Sequence, residues 1–168
     1  MKLKYNRIFI VGTAGSGKST LAKQISVMTD LTHYGLDWIV YKDTKHWKIK
    51  YSDRIRDKKL KELLKKKNWI IEGVYVDDWI VPVIKKSDLI VILKLSKHSL
   101  MKRVFNRHIK NKLDKKGGSF KDLLFILKST LYNSKHFLEN KNISEKYNKK
   151  YIILRNDREI NNFLNSLK

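Results

Sequence analysis

Gly12-Thr13-Ala14-Gly15-Ser16-Gly17-Lys18-Ser19-Thr20 has the spacing G-x-x-x-x-G-K-[ST]. That pattern suits phosphate. Glycine accepts dihedrals that a Cβ forbids, so successive backbone N–H groups can close on phosphate oxygens. Lys18 would reach the β- and γ-phosphates, and the Ser19 hydroxyl would ligate Mg²⁺. A helix beginning there adds the positive end of its dipole. Asp37 and Glu72 each end a short apolar run that reads as a strand. In open parallel sheets ligands sit beyond the carboxyl ends of strands, so both carboxylates fall where chemistry happens. Asp37 reads equally as a helix cap or turn residue. Arg103 and Arg107, four apart, share one helical face, which suits bidentate phosphate binding or an ordinary charged surface.

These residues need elements to hold them. Ile8-Phe9-Ile10-Val11 is an uninterrupted apolar run, as a strand buried on both faces should read. Leu21, Ile25 and Met28 follow the loop at i, i+4 and i+7, the stripe of an amphipathic helix. The pattern then predicts a strand over Leu31–Leu36 and a helix from about Asp53 to Lys67, with Ile55, Leu60, Leu63 and Leu64 buried. Arg54 and Arg56 lie off that stripe and could face an acceptor or solvent. A third strand, Trp69-Ile70-Ile71, ends at Glu72-Gly73. A short helix follows, capped at Asp77 or Asp78 and carrying Pro82 in its first turn. Leu89–Leu93 is the most apolar strand. Ser96 caps a basic helix with Leu100, Val104 and Phe105 buried. Gly117 and Gly118 mark a loop that reads as a mobile lid or a plain surface loop. A long helix is expected from Phe120 to Glu139. Tyr151–Leu154 makes the fifth strand, and a last helix, capped near Asn156 or Asp157, buries Ile160, Phe163, Leu164 and Leu167. Strands alternating with helices predict an α/β parallel sheet in one domain spanning residues 1–168.

Composition narrows the chemistry. The 168 residues contain no cysteine, which excludes disulfides, thiolate nucleophiles and cysteine metal sites. The five histidines lack metal-ligand spacing. Trp38 follows Asp37 toward the expected cleft, and the other tryptophans read as core or rim packing. No run approaches a membrane span, and the N-terminus leads straight into a strand, so a cytoplasmic protein is the default expectation. Thirty-eight Lys+Arg against 16 Asp+Glu give a net charge of +22. That admits a polyanionic partner, nucleic acid or a phosphate-rich substrate. The basic residues are spread along the chain, however, as a compositional bias would leave them.

The P-loop, Leu36-Asp37, Trp69-Ile70-Ile71-Glu72-Gly73-x-Tyr75, Asp88 to Leu93, Arg103-x-x-x-Arg107 and Leu154-Arg155 occur in an order that resembles the topology modulation proteins. These are bacterial P-loop proteins similar to adenylate kinase and other nucleoside monophosphate kinases. The resemblance runs over nearly the whole chain. It implies a three-layer fold with a five-stranded parallel sheet in the order 2-3-1-4-5. By analogy, Asp37 and Glu72 flank the acceptor and Mg²⁺, Arg103 and Arg107 belong to a lid around 103–119, and Arg155 lies near the donor base. The family name implies an effect on DNA supercoiling. This chain departs from the family at Glu72, where Asp is usual, and at Val74, where Asn is usual. Between Val74 and Trp79 it has no Arg or Lys, where adenylate kinases hold the acceptor phosphate.

The expectation is therefore transfer of the γ-phosphate of ATP, with Mg²⁺, to a small acceptor, nucleotide or otherwise. Lys18, Arg103 and Arg107 would absorb charge developing on the transferred group. Asp37 or Glu72 would orient the acceptor hydroxyl or hold metal-bound water. The alternatives are a nucleotide-binding regulator whose basic surface contacts nucleic acid, and a nucleoside triphosphatase without an acceptor.

Overall fold

The computed structural model describes residues 4–43, 49–75, 77–113, 142 and 145–167. The predicted lid from residue 114 onward, with Gly117 and Gly118, the predicted helix from Phe120 to Glu139, and His46, Trp47 and His136 lie outside the described residues.

Five strands form one parallel sheet: β1 (Arg7–Gly12), β2 (His33–Gly35), β3 (Trp69–Gly73), β4 (Leu89–Leu93) and β5 (Tyr151–Leu154). Their order is β2-β3-β1-β4-β5, as expected. The register pairs Ile10 and Gly35 with Glu72, Val11 with Gly73, and Gly12 with Leu93. The carboxyl ends of β1, β2 and β3 are therefore level, and everything that follows them opens on one edge of the sheet.

Alternate residues of each strand face opposite sides. Phe9, Val11, Trp69, Ile71, Ile90 and Ile92 pack against the layer formed by α3 (Asp53–Leu63) and α4 (Val81–Lys86). Ile8, Ile10, Ile70, Leu89 and Val91 pack against α1 (Lys18–Thr29) and the C-terminal helix α6 (Asp157–Asn165). Both faces of β1, β3 and β4 are thus covered. Asp88 closes the opposite end of the sheet, accepting from the Asn6 and Arg7 N–H groups and from the Arg7 guanidinium.

Several boundaries differ from the sequence pattern. The second strand is shorter than Leu31–Leu36, because Leu36 takes helical dihedrals (φ −63°, ψ −25°) and leads into α2 (Asp37–Val40). Helix α3 ends at Leu63, where the amide of Leu64 turns back to Leu60 and Glu62, so the lysine run 65–67 stays outside it. Ile55 (43% exposed), Met28 (38%) and Phe105 (50%) are not core. In α1 the buried stripe is Leu21, Ala22, Ile25 and Thr29, one position round from the expected line. In helix α5 (Lys97–Leu113) Leu100 and Val104 are buried, and Phe105, one residue further round, turns outward. Asp77 precedes a 3-10 turn (Asp78–Ile80) without capping it, whereas Ser96 does cap α5 by accepting from the Ser99 N–H. Among the described residues no helix is long and apolar enough to cross a membrane.

Candidate active site

The loop between β1 and α1 is shaped by two left-handed glycines, Gly15 (φ +76°) and Gly17 (φ +92°). Any other residue strains there. A Cβ on Gly17 would stand 2.8 Å from the Arg103 guanidinium, and one on Gly15 would stand 2.5 Å from Val104 Cγ2. The loop and helix α5 are therefore in intimate contact. Arg103 donates to the Ser16 carbonyl at 2.9 Å and pairs with Asp157 at the start of α6.

Lys18 is buried and donates to the Thr13 carbonyl at 3.0 Å. Burial lowers its pKa, and the carboxylates of Glu72 and Asp37 offset part of that. One residue on, the Ser19 hydroxyl donates to Glu72 Oε1 at 2.8 Å. The His33 imidazole lies 3.7 Å from the same oxygen. Burial pushes the Glu72 carboxyl up, but His33, Lys18 and the Ser19 hydroxyl outweigh it, and the acid sits below its ordinary value. Asp37 is the first residue of α2, so it opens that helix rather than capping it, and its Oδ1 accepts from the Tyr75 hydroxyl at 2.7 Å. Burial, then this carboxylate, push the Tyr75 phenol well above its usual value.

Three cavities open on this edge. One, of about 780 Å³, is lined by Ala14, Gly15, Gly17, Lys18, Ser19 and Thr20 together with Asp37, Glu72, Arg103 and Arg107. A second, of about 760 Å³, lies against β2 and α3 and is lined by Lys23, His33, Tyr34, Trp38, Lys59 and Leu63. Ser19, Asp37, Glu72 and Arg107 line both. The third, of about 430 Å³, has Thr13, Leu95, Leu100 and Arg155 on its walls. The Arg155 N–H is held by Glu159, whose own N–H donates to the Asn156 side chain capping α6.

The structure thus brings Gly12 to Thr20, Asp37, Glu72, Arg103 and Arg107 together, and sets Arg155 beside Thr13 in a neighbouring cavity. Trp38 lines the second cavity and is 70% exposed. Arg56 faces no cavity described above. It is clamped by Asp53 and Asp57 at 2.8 Å each and lies over Trp79. Sequence reasoning missed four contributors. Spacing tests His33 only as a metal ligand, and position reads Asp157 only as a helix cap. Tyr75 stood in the Glu72-Gly73-x-Tyr75 motif without a task. Lys59 has no distinguishing signal beside Lys58 and Lys61, and its ammonium lies 4.1 Å from the Tyr51 ring centroid.

A parallel sheet of this order, with the glycine loop leaving its central strand, is the P-loop fold of the small kinases. The chain belongs to the AAA domain family, whose model matches residues 8–117. None of the curated proteins compared with it matches. Among solved structures it is similar to shikimate kinase from Acinetobacter baumannii in complex with shikimate, at 15% identity and a TM-score of 0.57 over 97% of this chain and 90% of that one. It is also similar to shikimate kinase from Bacteroides thetaiotaomicron, at 16% identity and a TM-score of 0.58 over 97% and 96%. Deoxyadenosine kinase from M. mycoides with bound dCTP aligns at 17% identity and a TM-score of 0.51 over 96% and 98%. At these identities the likeness is one of fold.

Proposed function

We propose that this protein is an ATP-dependent phosphotransferase that moves the γ-phosphoryl group of ATP to a small acceptor, within the adenylate kinase-like group that includes the topology modulation proteins. One observation carries the reading: Ser19, Asp37, Glu72 and Arg107 form a wall common to the phosphate-loop cavity and the cavity beside β2. A donor held in the first and an acceptor in the second would meet across that wall.

The chemistry asks chiefly for positioning and charge neutralisation. The loop glycines present backbone N–H groups to the donor phosphates, and Arg155 and Thr13 border the space for its base. Lys18, desolvated and flanked by two carboxylates, exchanges the Thr13 carbonyl for phosphate oxygens. Arg107 reaches into both cavities and balances charge on the group in flight. Asp37 accepts the proton of the acceptor hydroxyl or orients it. The oxygen donors Ser19 and Glu72, 2.8 Å apart, suit a hard cation, and with Asp37 nearby they would hold Mg²⁺ directly or through water. When bound, Mg²⁺ supplies neutralisation of the phosphate charge.

Lys23, Lys59 and Arg107 line the acceptor cavity together with Asp37 and Glu72, so the cations outnumber the carboxylates there by three to two, and none of the three forms an ion pair with a carboxylate among the described residues. The acceptor in this reading therefore carries negative charge of its own. These cations take the place of the basic residue missing between Val74 and Trp79. They also give part of the excess charge of the chain a small-molecule task.

The test is ATP turnover with Mg²⁺ against matched neutral and anionic acceptors: nucleosides and nucleoside monophosphates, sugars and hydroxy acids, shikimate included. Labelled phosphate should appear on an anionic acceptor, and Lys18→Ala should lower turnover at least ~100-fold. Full activity in Lys18→Ala would overturn the mechanism. Tight ATP binding without any acceptor effect, alongside salt-sensitive binding to nucleic acid, would favour a nucleotide-dependent regulator instead.

A further inference from the structure

Asp37 sits on weak supports. It opens a four-residue helix that follows a three-residue strand at the sheet edge. Neither element is long enough to fix a side chain that swings on two torsions. What holds the carboxylate comes from elsewhere in the chain. Tyr75, 38 residues away, donates its hydroxyl to Oδ1 at 2.7 Å. The Tyr75 ring meets Trp79 edge to face, 5.1 Å between centroids and 61° between planes. The Trp79 indole carries the Arg56 guanidinium over its ring at 4.7 Å. Gly73 leaves room for this arrangement: a Cβ there would stand 2.7 Å from Leu36 Cδ1 and 3.2 Å from Tyr75 Cδ2.

We propose that Tyr75 is a positioning residue for phosphoryl transfer, which occupies Asp37 Oδ1 so that Oδ2 alone serves the acceptor, and that the Arg56–Trp79 stack keeps Tyr75 in place. This rests on the reading of Asp37 as the carboxylate that meets the acceptor. Three physical points support it. A neutral phenol donates one hydrogen bond and brings no charge, so it fixes the carboxylate without competing for the phosphoryl group. The edge-to-face contact with Trp79 opposes a change of the Tyr75 side-chain rotamer about χ1, the motion that would carry the hydroxyl away from Asp37. Arg56 lines none of the three cavities; it pairs with two carboxylates and lies over an indole, an arrangement that suits a buttress.

The test compares Tyr75→Phe, Asp37→Asn and the double variant in the full chain. Phenylalanine keeps the ring and its contact with Trp79 and removes the hydroxyl. Tyr75→Phe should lower kcat about 10- to 100-fold, the scale of a misplaced catalytic group, while KM for ATP stays within about twofold. In the Asp37→Asn background the same change should add little, because the two residues act as one unit. A crystal structure of Tyr75→Phe should show the Asp37 carboxylate displaced or spread over rotamers. Unchanged kcat in Tyr75→Phe, a full-sized loss retained in the Asp37→Asn background, or an unmoved carboxylate would each overturn the proposal. Wild-type turnover by Asp37→Asn would instead remove the role of Asp37, and this one with it.

Discussion

The Ser19 hydroxyl donates to Glu72 Oε1 at 2.8 Å and so ties the first turn of α1 to the end of β3 across 53 residues of chain. Glu72 is buried on a central strand, with His33 at 3.7 Å and the Lys18 charge nearby. It is the point at which three segments distant in sequence agree on one geometry.

That environment makes stability depend on pH. The folded Glu72 acid lies below its ordinary value, so its stabilisation is complete above the usual glutamate range and is lost as pH falls through the folded value. Thermal unfolding followed from neutrality downward should show the melting temperature dropping below about pH 4.3. In Glu72→Gln that part of the drop should flatten, with a cost on the order of 1 kcal/mol at neutral pH. An acid limb identical in the two proteins would refute the assignment.

Gly17→Ala should damage both the fold and the loop. Its φ of +92° costs an L-residue about 1–2 kcal/mol, and the new methyl would press on Arg103. ATP affinity measured by calorimetry should fall at least ~10-fold, on the scale of 1.4 kcal/mol. Wild-type affinity would show that the loop tolerates a Cβ and that Arg103 yields freely.

The two arginines of α5 should separate kinetically. Arg103 lines the phosphate-loop cavity and is engaged with the Ser16 carbonyl and Asp157, whereas Arg107 lines both cavities. Arg103→Ala should chiefly raise KM for ATP. Arg107→Ala should chiefly lower kcat, by roughly 100-fold or more. Equal effects on both constants in both variants would mean that they act as a single clamp.

Asp88→Ala should cost stability without touching catalysis. Asp88 binds two backbone N–H groups and the Arg7 guanidinium at the end of the sheet opposite the site. Its loss should cost about 1–3 kcal/mol in denaturant unfolding while leaving kcat and KM unchanged. Altered kinetic constants would show that the two ends of the sheet communicate.

The strands were legible because a sheet buried on both faces writes itself as short apolar runs, and Ile8–Val11, Trp69–Ile71 and Leu89–Leu93 are such runs. The P-loop was legible because its spacing is a covalent fact. Once those were placed, strand ends located Asp37 and Glu72. The pairings between them were not legible. The contacts of Tyr75 with Asp37, His33 with Glu72 and Arg103 with Asp157 span 38, 39 and 54 residues, and nothing in local periodicity links their partners. Helix faces were read one position out at Met28 and Phe105, because an amphipathic stripe fixes a direction and the neighbouring layer decides how much of it is covered.

The phosphate loop springs from β1, which is paired on both sides and lies at the middle of the sheet. Asp37 hangs from β2, three residues long and paired with β3 alone. The two halves of the proposed reaction thus stand on ground of unequal mutability. A substitution around the loop disturbs the centre of the fold, whereas one between His33 and Val40 disturbs its margin. On the proposed reading, a change of acceptor would ask only for small edits at the margin and would leave the loop that holds the donor, and the centre of the fold beneath it, untouched.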